Sequence, residues 1–220
     1  MEVKNMLQDK RGFTLVEVMV ALAISGIVLA SIYSAFQSQQ NSYVVQDQVT
    51  GMQQSVRAGL DMMIREIRLA GYDPDGTGEY NVLAATANSF NFTADVNDDG
   101  GVPGVGETFL YELYDTGERN DANQIIFGLR RTPGGSAVAE NIEQLEFVYL
   151  DEDNNVTADL DEIRSVVISI LAKAERPDRN FFNPQLYVSF SGTIWGPYND
   201  NFRRRLLIQT VNCRNMGLGS

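Results

Sequence analysis

One carboxylate, Glu17, stands in an otherwise uncharged apolar run that extends from Phe13 to Phe36. The run holds about 24 residues, and a helix of that length measures roughly 36 Å, enough to cross a hydrocarbon core of about 30 Å. A carboxylate within a membrane costs roughly 2.5–3.5 kcal/mol, so such residues usually mark a function or a defined partner. Because Glu17 lies about one turn inside the boundary, its chemistry is either a snorkelling contact with lipid headgroups or a charge pair with a specific cation.

A second group of residues has the spacing of a calcium-binding loop. Asp95, Asn97 and Asp99 alternate and a glycine follows, as in the opening half of such a loop. The acidic residue that should close the loop is displaced, since position twelve is Gly106 and Glu107 comes one residue later. The segment is therefore either a candidate calcium site or a solvated turn.

A third group repeats this pattern further along the chain. Acidic and amide residues occupy positions one, three, five, nine and twelve of a loop: Asp151, Asp153, Asn155, Asp159 and Glu162. Position six, which is usually Gly, is Val156, so the sharp turn of a calcium loop is not assured. A solvated turn is again the alternative, and calcium is the cofactor that either loop would bind.

Other kinds of chemistry are limited by the residues that the chain contains. The sequence has no His, and its single Cys, Cys213, has no internal partner. This excludes His/Cys metal sites, Cys/His or Ser/His catalytic pairs and a disulfide framework. No spacing singles out a catalytic carboxylate pair, and GxSxG and phosphate-loop patterns are absent. We therefore expect no enzymatic activity, and we expect Cys213 to be a buried apolar residue, with an intermolecular link as the alternative.

The distribution of charge indicates an orientation in the membrane. The formal net charge is −12, which argues against nucleic acid as a partner. Lys10 and Arg11 precede the apolar run, and the next basic residue is Arg57. The positive-inside rule therefore places the N-terminal residues in the cytoplasm and the rest of the chain outside.

The junction between the basic residues and the apolar run reads "KRGFTLVE", from Lys10 to Glu17. An ordinary secretory signal is cleaved after its apolar core, and the segment 28–30, "VLA", offers such a site. The order Gly-Phe-Thr-Leu-x-Glu instead resembles the class III signal of type IV prepilins, which a dedicated aspartyl peptidase cuts before the apolar run.

The prepilin resemblance implies specific roles for three residues. Prepilin peptidase would cut between Gly12 and Phe13, and the new N-terminal Phe13 would be N-methylated. Glu17 would become the fifth residue of the mature chain, where that family carries an acidic residue that faces the N-terminal amine of a neighbouring subunit. Such a pair suits a low-dielectric site, because a buried charge is costly alone and tolerable beside a counter-charge.

The elements that position these residues begin with a helix. After Phe36, apolar residues recur every three or four positions, which predicts an amphipathic continuation of the apolar helix. This stripe consists of Val45, Val49, Met52, Val56, Leu60, Met63 and Ile67. The helix is predicted to end at Gly71, because Gly commonly follows a helix and a Pro comes soon after. We expect the stripe to pack on the chain's own head domain, with packing between subunits as the alternative.

The rest of the chain is predicted to be rich in β-strands. Apolar runs separated by turn residues occupy residues 89–94, 108–115, 124–132, 143–150, 164–174, 186–192 and 203–213. The predicted class is α+β, with the long N-terminal helix packed on an antiparallel β-sheet head. The stretches "FNFTADVNDDG", "IRSVVISILAKAERP" and "RRRLLIQTVNCRN" resemble the PilW family of minor pilins.

Together these features predict four segments: a leader (1–12), a transmembrane or filament-core helix (13–36), its amphipathic continuation (37–71) and a periplasmic or extracellular head (72–220). The resemblance implies a minor pilin that primes or caps a type IV pilus. Its partners would be prepilin peptidase, the inner-membrane assembly platform, other minor pilins and the major pilin, with membrane lipid before assembly. A J-type pseudopilin of type II secretion and a membrane-anchored binding domain that never polymerises are the alternatives.

Overall fold

The computed structural model describes residues 12–77, 79–104, 106–119, 123–135 and 137–217. Residues 1–11 of the predicted leader lie outside the described residues. The boundary between two compact units falls between Gln46 and Asp47.

A single helix, α1 (Leu15–Ile67), forms the N-terminal part of the described chain. Every residue from 12 to 44 is exposed, including the whole apolar run from 13 to 36. The helix ends four residues before the predicted boundary, and a looser turn leads on to Gly71. Gly71 has a φ of 71°, the left-handed conformation that glycine adopts most readily at a helix end.

The described residues after α1 form ten strands, β1 (Val82–Ala85), β2 (Ser89–Thr93), β3 (Thr108–Arg119), β4 (Ile125–Thr132), β5 (Ala137–Glu140), β6 (Ile142–Leu150), β7 (Ser165–Lys173), β8 (Tyr187–Val188), β9 (Ile194–Trp195) and β10 (Arg204–Asn212). Each of the seven predicted runs overlaps one of these strands. The three that the sequence reading missed, β1, β5 and β9, have four, four and two residues. Such short segments carry too little alternation to be recognised.

The first five strands form an antiparallel meander in the order β1-β2-β3-β4-β5. Alternate residues of β2 and β3 are buried, namely Phe90, Phe92, Phe109 and Tyr111, as the two-residue period of a half-buried strand requires. The Phe92 and Phe109 rings stack with centroids 5.3 Å apart. One face of this sheet is therefore aromatic and is available to cover a helix.

The C-terminal half of α1 packs on that face. Val56, Leu60, Met63 and Ile67 belong to the same buried cluster as the aromatic residues of the sheet, and Met52 packs against it. The predicted packing on the head is therefore confirmed for the part of the stripe from Met52 to Ile67. Gly59 allows the close approach, because a Cβ there would lie 3.0 Å from the Cβ of Ala139 in β5.

A second antiparallel sheet, in the order β10-β7-β6, closes the same core from another side. All nine residues of its central strand β7 are buried. Cys213 follows β10, and its side chain is 3% exposed within this core. Burial raises the pKa of its thiol to about 12, so Cys213 is a buried, protonated residue and is not placed to form an intermolecular link.

Candidate functional site

The first predicted site is the start of α1, where Thr14 and Glu17 form a reciprocal cap. The Glu17 N–H donates to Thr14 Oγ1 at 3.2 Å, and the Thr14 N–H donates to Glu17 Oε2 at 2.8 Å. The Thr14 hydroxyl also donates to the same carboxylate oxygen at 2.8 Å. This is a capping box, which satisfies two N–H groups that a helix start would otherwise leave unpaired.

The capping box gives Glu17 a role within its own chain that sequence reasoning missed. The signal was present, since Thr14 and Glu17 have the Ser/Thr-x-x-Glu spacing of such a box. A negative charge at this position also interacts favourably with the positive end of the helix dipole. The carboxylate is therefore held in a fixed position at the helix start, and because the residue is exposed, a cation from another molecule could reach it.

The predicted cleavage bond lies directly before this cap. Gly12 and Phe13 are exposed and not helical, and the Phe13 side chain is 89% exposed. Exposed backbone outside regular structure is the form in which peptidases usually reach a bond. Phe13 and Glu17 also lie one helical turn apart in sequence, which puts the predicted new N-terminus close to the carboxylate along the chain.

The apolar part of α1 has the properties of a membrane span by length and composition. Its most apolar stretch has a mean hydropathy of 2.4. Large side chains on all of its sides are exposed, including Leu22, Ile27, Leu29 and Ile32. A helix that is apolar all round requires lipid or other protein around it. This supports membrane anchoring.

The first acidic loop connects β2 to β3. The Asp95 carboxylate accepts hydrogen bonds from the backbone N–H of Asp98 at 2.7 Å and of Gly100 at 3.4 Å. The Asn97 side chain bonds to Asp99, with Asn97 Nδ2 2.9 Å from Asp99 Oδ2. The side chain of Asp95 is fully buried, whereas Asn97 and Asp99 are exposed.

Strand pairing brings Glu107 to this loop. In the sequence, Glu107 comes one residue after the position of the last ligand in a calcium-binding loop. The Ala94 N–H donates to the Glu107 carbonyl at 3.0 Å, directly beyond the last paired residues of β2 and β3. Carboxylate oxygens of Asp95, Asp99 and Glu107 all lie within 4.8 Å of one another. The ladder of β2 and β3, and not the count along a calcium loop, sets the position of Glu107.

The second acidic loop is held by bonds within itself. Asp151 Oδ1 accepts the backbone N–H of Asp153 at 2.9 Å and of Asn155 at 2.8 Å. The Asn155 N–H is the main cause that lowers the pKa of Asp151. Glu162 accepts a hydrogen bond from the Thr157 hydroxyl at 3.0 Å. Asp159 Oδ1 likewise accepts the N–H of Asp161. Over residues 151–162, all of which the structure describes, no three carboxylates come together as they do in the first loop.

Comparison with known proteins bears on the N-terminal site. Residues 7–33 match the family model described as the prokaryotic N-terminal methylation motif. The chain carries an N-terminal methylation motif. The motif spans the predicted cleavage bond and the capping box with Glu17. It supports the resemblance to type IV prepilins that was inferred from the sequence. The match does not extend into the head.

The other comparisons add little beyond this motif. No curated protein matches the chain. Among solved structures, a type IV-like pilin from Thermus thermophilus is similar, with 14% identity over 74% of this chain and 96% of that chain, at a TM-score of 0.41. A likeness of this strength carries no argument by itself. The α+β class is confirmed by the helix and antiparallel sheets themselves.

Proposed function

We propose that this chain is a minor pilin, cut by prepilin peptidase between Gly12 and Phe13, N-methylated on Phe13, and used at low copy to prime or cap a type IV pilus. The observation that carries the proposal is the methylation motif at residues 7–33, which includes the start of the exposed apolar helix α1. We assign the chain a structural role and assign it no catalytic residues.

The capping box suggests how Glu17 acts during assembly. Both of its members, Thr14 and Glu17, lie after the proposed cut, so the mature chain keeps the box. The carboxylate is thus presented at the membrane boundary of each subunit in one orientation. We propose that it pairs with the cationic, methylated amine of Phe13 on a neighbouring subunit, because a charge entering a low-dielectric filament core needs a counter-charge.

The membrane placement follows from the same segment. Before assembly, α1 crosses the inner membrane with the leader in the cytoplasm and the β-rich head in the periplasm. Lipid surrounds the helix at this stage. On contact with the assembly platform, the helix leaves the lipid and packs among other minor pilins and the major pilin. The head is large for the repeating unit of a thin filament, which favours a place at or near the pilus tip.

The test is a deletion strain in which pilus number and protein secretion are both measured. The proposal expects fewer surface pili with normal secretion, and full recovery with the wild-type gene. Loss of secretion with normal pili would instead identify a J-type pseudopilin of a type II secretion system.

Matched variants in the complemented strain separate polymerisation from simple anchoring. Glu17→Gln keeps an oxygen for the helix cap but removes the charge, whereas Asp61→Asn removes a charge from an exposed position further along α1. The proposal expects loss of pili with Glu17→Gln and normal pili with Asp61→Asn. Equal piliation with both would favour a membrane-anchored binding domain that never polymerises.

A further inference from the structure

Three carboxylates meet at the base of the β2–β3 connection. Oxygen atoms of Asp95, Asp99 and Glu107 lie within 4.8 Å of one another. Asp95 is fully buried and Glu107 is 2% exposed. Like charges this close repel one another strongly away from water, so the cluster is costly unless a cation or a proton neutralises it.

One oxygen of this cluster is buried without a hydrogen bond. Glu107 Oε2 accepts the Gly104 N–H at 2.7 Å and lies 3.4 Å from the Tyr80 hydroxyl. Glu107 Oε1 has no hydrogen-bond partner among the described residues. A buried carboxylate oxygen that is left unpaired is uncommon in folded proteins and calls for a ligand or an ion. This orphaned atom is independent of the clustering itself.

Among the residues that the structure describes, no Lys or Arg side chain pairs with the cluster. Residues 72–107 include seven acidic residues and no Lys or Arg. Within the described part of the chain, none of the three carboxylates takes part in an ion pair.

We infer that Asp95, Asp99 and Glu107 bind a divalent cation of the calcium type, with Glu107 as the ligand that the sequence pattern did not include. Calcium takes oxygen ligands at about 2.3–2.6 Å in a shell of variable geometry, so ligands on opposite sides of the ion are about 4.8 Å apart. Magnesium requires a tighter octahedral shell at about 2.0–2.1 Å. Oxygens that lie within 4.8 Å of one another can therefore reach a single calcium ion.

The location of the site indicates what binding would order. The Asp95 N–H donates to the Tyr72 carbonyl at 2.9 Å, and the Gly71 N–H donates to the Thr93 carbonyl at 3.0 Å. The stem of the loop is thus tied to the turn that follows α1. Calcium would fix the β2–β3 connection against the end of the helix. This inference does not depend on the proposed function, and its failure would leave that proposal intact.

The test uses the full-length protein in detergent, titrated with calcium chloride by calorimetry and by thermal unfolding. We expect binding in the range of about 0.1–1 mM, at the weak end of the affinities of protein calcium sites. Calcium at about 100 times the dissociation constant should raise the Tm by about 5–10 °C. The change should be reversed by a chelator, and magnesium at the same concentration should give a smaller shift.

Two variants identify the ligands, and a third is the control. Glu107→Gln should weaken calcium binding at least about tenfold, because the affinity of such sites follows the number of charged ligands. The same variant should unfold at an equal or higher temperature than wild type in chelator, since one of three repelling charges is gone. Asp98→Asn removes one charge from the exposed surface of the same loop and should bind calcium within about twofold of wild type.

A second ligand variant, Asp99→Asn, keeps the inference testable even if Glu107→Gln folds poorly. Asp99→Asn alters an exposed ligand and keeps an oxygen for the loop's own N–H bonds. Terbium, a calcium substitute that Tyr80 would sensitise, then reports binding in wild type and in this variant. Weaker luminescence with Asp99→Asn supports the site. The absence of a calcium response in wild type, or equal affinity in wild type and both ligand variants, would overturn the inference.

Discussion

Removal of the Glu66 carboxylate is expected to weaken the attachment of α1 to the first sheet. Glu66 accepts a hydrogen bond from the Tyr111 hydroxyl at 2.5 Å, and its two oxygens share the Arg131 Nε–H at 2.8 and 3.0 Å. The side chains of Arg131 and Glu66 are only 20% and 17% exposed. The interaction also raises the pKa of Arg131. One carboxylate on the helix therefore joins β3 and β4.

The magnitude follows from this partial burial. Breaking a buried ion pair by deleting one partner costs about 3–5 kcal/mol. Arg131 keeps a hydrogen bond to the Pro133 carbonyl and lies over the Phe109 ring, so Glu66→Ala should cost about 3 kcal/mol, near the lower end. For a chain of this size that corresponds to a fall in Tm of about 6–12 °C. Tyr111→Phe removes one hydrogen bond and should cost about 1 kcal/mol.

A neighbouring pair in the same strands provides the control. Glu112 in β3 pairs with Arg130 in β4, one position from Tyr111 and Arg131. The Arg130 and Glu112 side chains are 38% and 26% exposed, and such a pair contributes less than about 1 kcal/mol. Thermal unfolding can be followed through Trp195, the single Trp of the chain. Equal shifts for Glu66→Ala and Glu112→Ala would refute the attachment that we assign to Glu66.

Two further predictions concern the membrane boundary and acid stability. The Glu17→Leu variant should insert into the membrane as well as wild type or better, because a costly charge is removed. Its amount in sheared pilus fractions should nevertheless decrease. Normal incorporation into pili would show that the charge pair is not needed. Burial by itself would raise the pKa of Asp200, but hydrogen bonds from Arg204 and from the Phe202 N–H together outweigh it, so the pKa is lowered. Since the folded pKa is the lower one, its stabilisation is present above the unfolded value of about 3.9 and is lost as pH falls through the folded pKa. Asp200→Asn should therefore flatten the loss of Tm below about pH 4, and an unchanged slope would contradict this assignment.

The strands that sequence reasoning located best are those with long alternating or continuous apolar patterns. In β6, Leu145, Phe147 and Tyr149 alternate and face the core, and the pattern alone predicts that arrangement. In β7 every residue is buried, and its run of apolar residues is long enough to be recognised without alternation. The division of strands into separate sheets depends on long-range pairing, which no local pattern records.

The candidate sites show the same difference between local and distant information. Thr14 and Glu17 are three residues apart, so their cap could have been predicted from spacing alone. Glu107 was set aside because it fails the count of a calcium loop. It reaches Asp95 because β2 and β3 pair as far as Thr93 and Thr108, and that register is a tertiary property. A sequence rule that assumes one loop geometry fails where strand pairing sets the geometry.

The central claim, that this chain is processed as a prepilin, is tested most directly by mass spectrometry of the N-terminus of the mature protein. The account predicts a single terminus at Phe13 that carries an N-methyl group, and an unprocessed chain in cells that lack prepilin peptidase. A mature chain that begins at Ser31, after a secretory signal, or one that retains Met1 in cells with active peptidase, would contradict it.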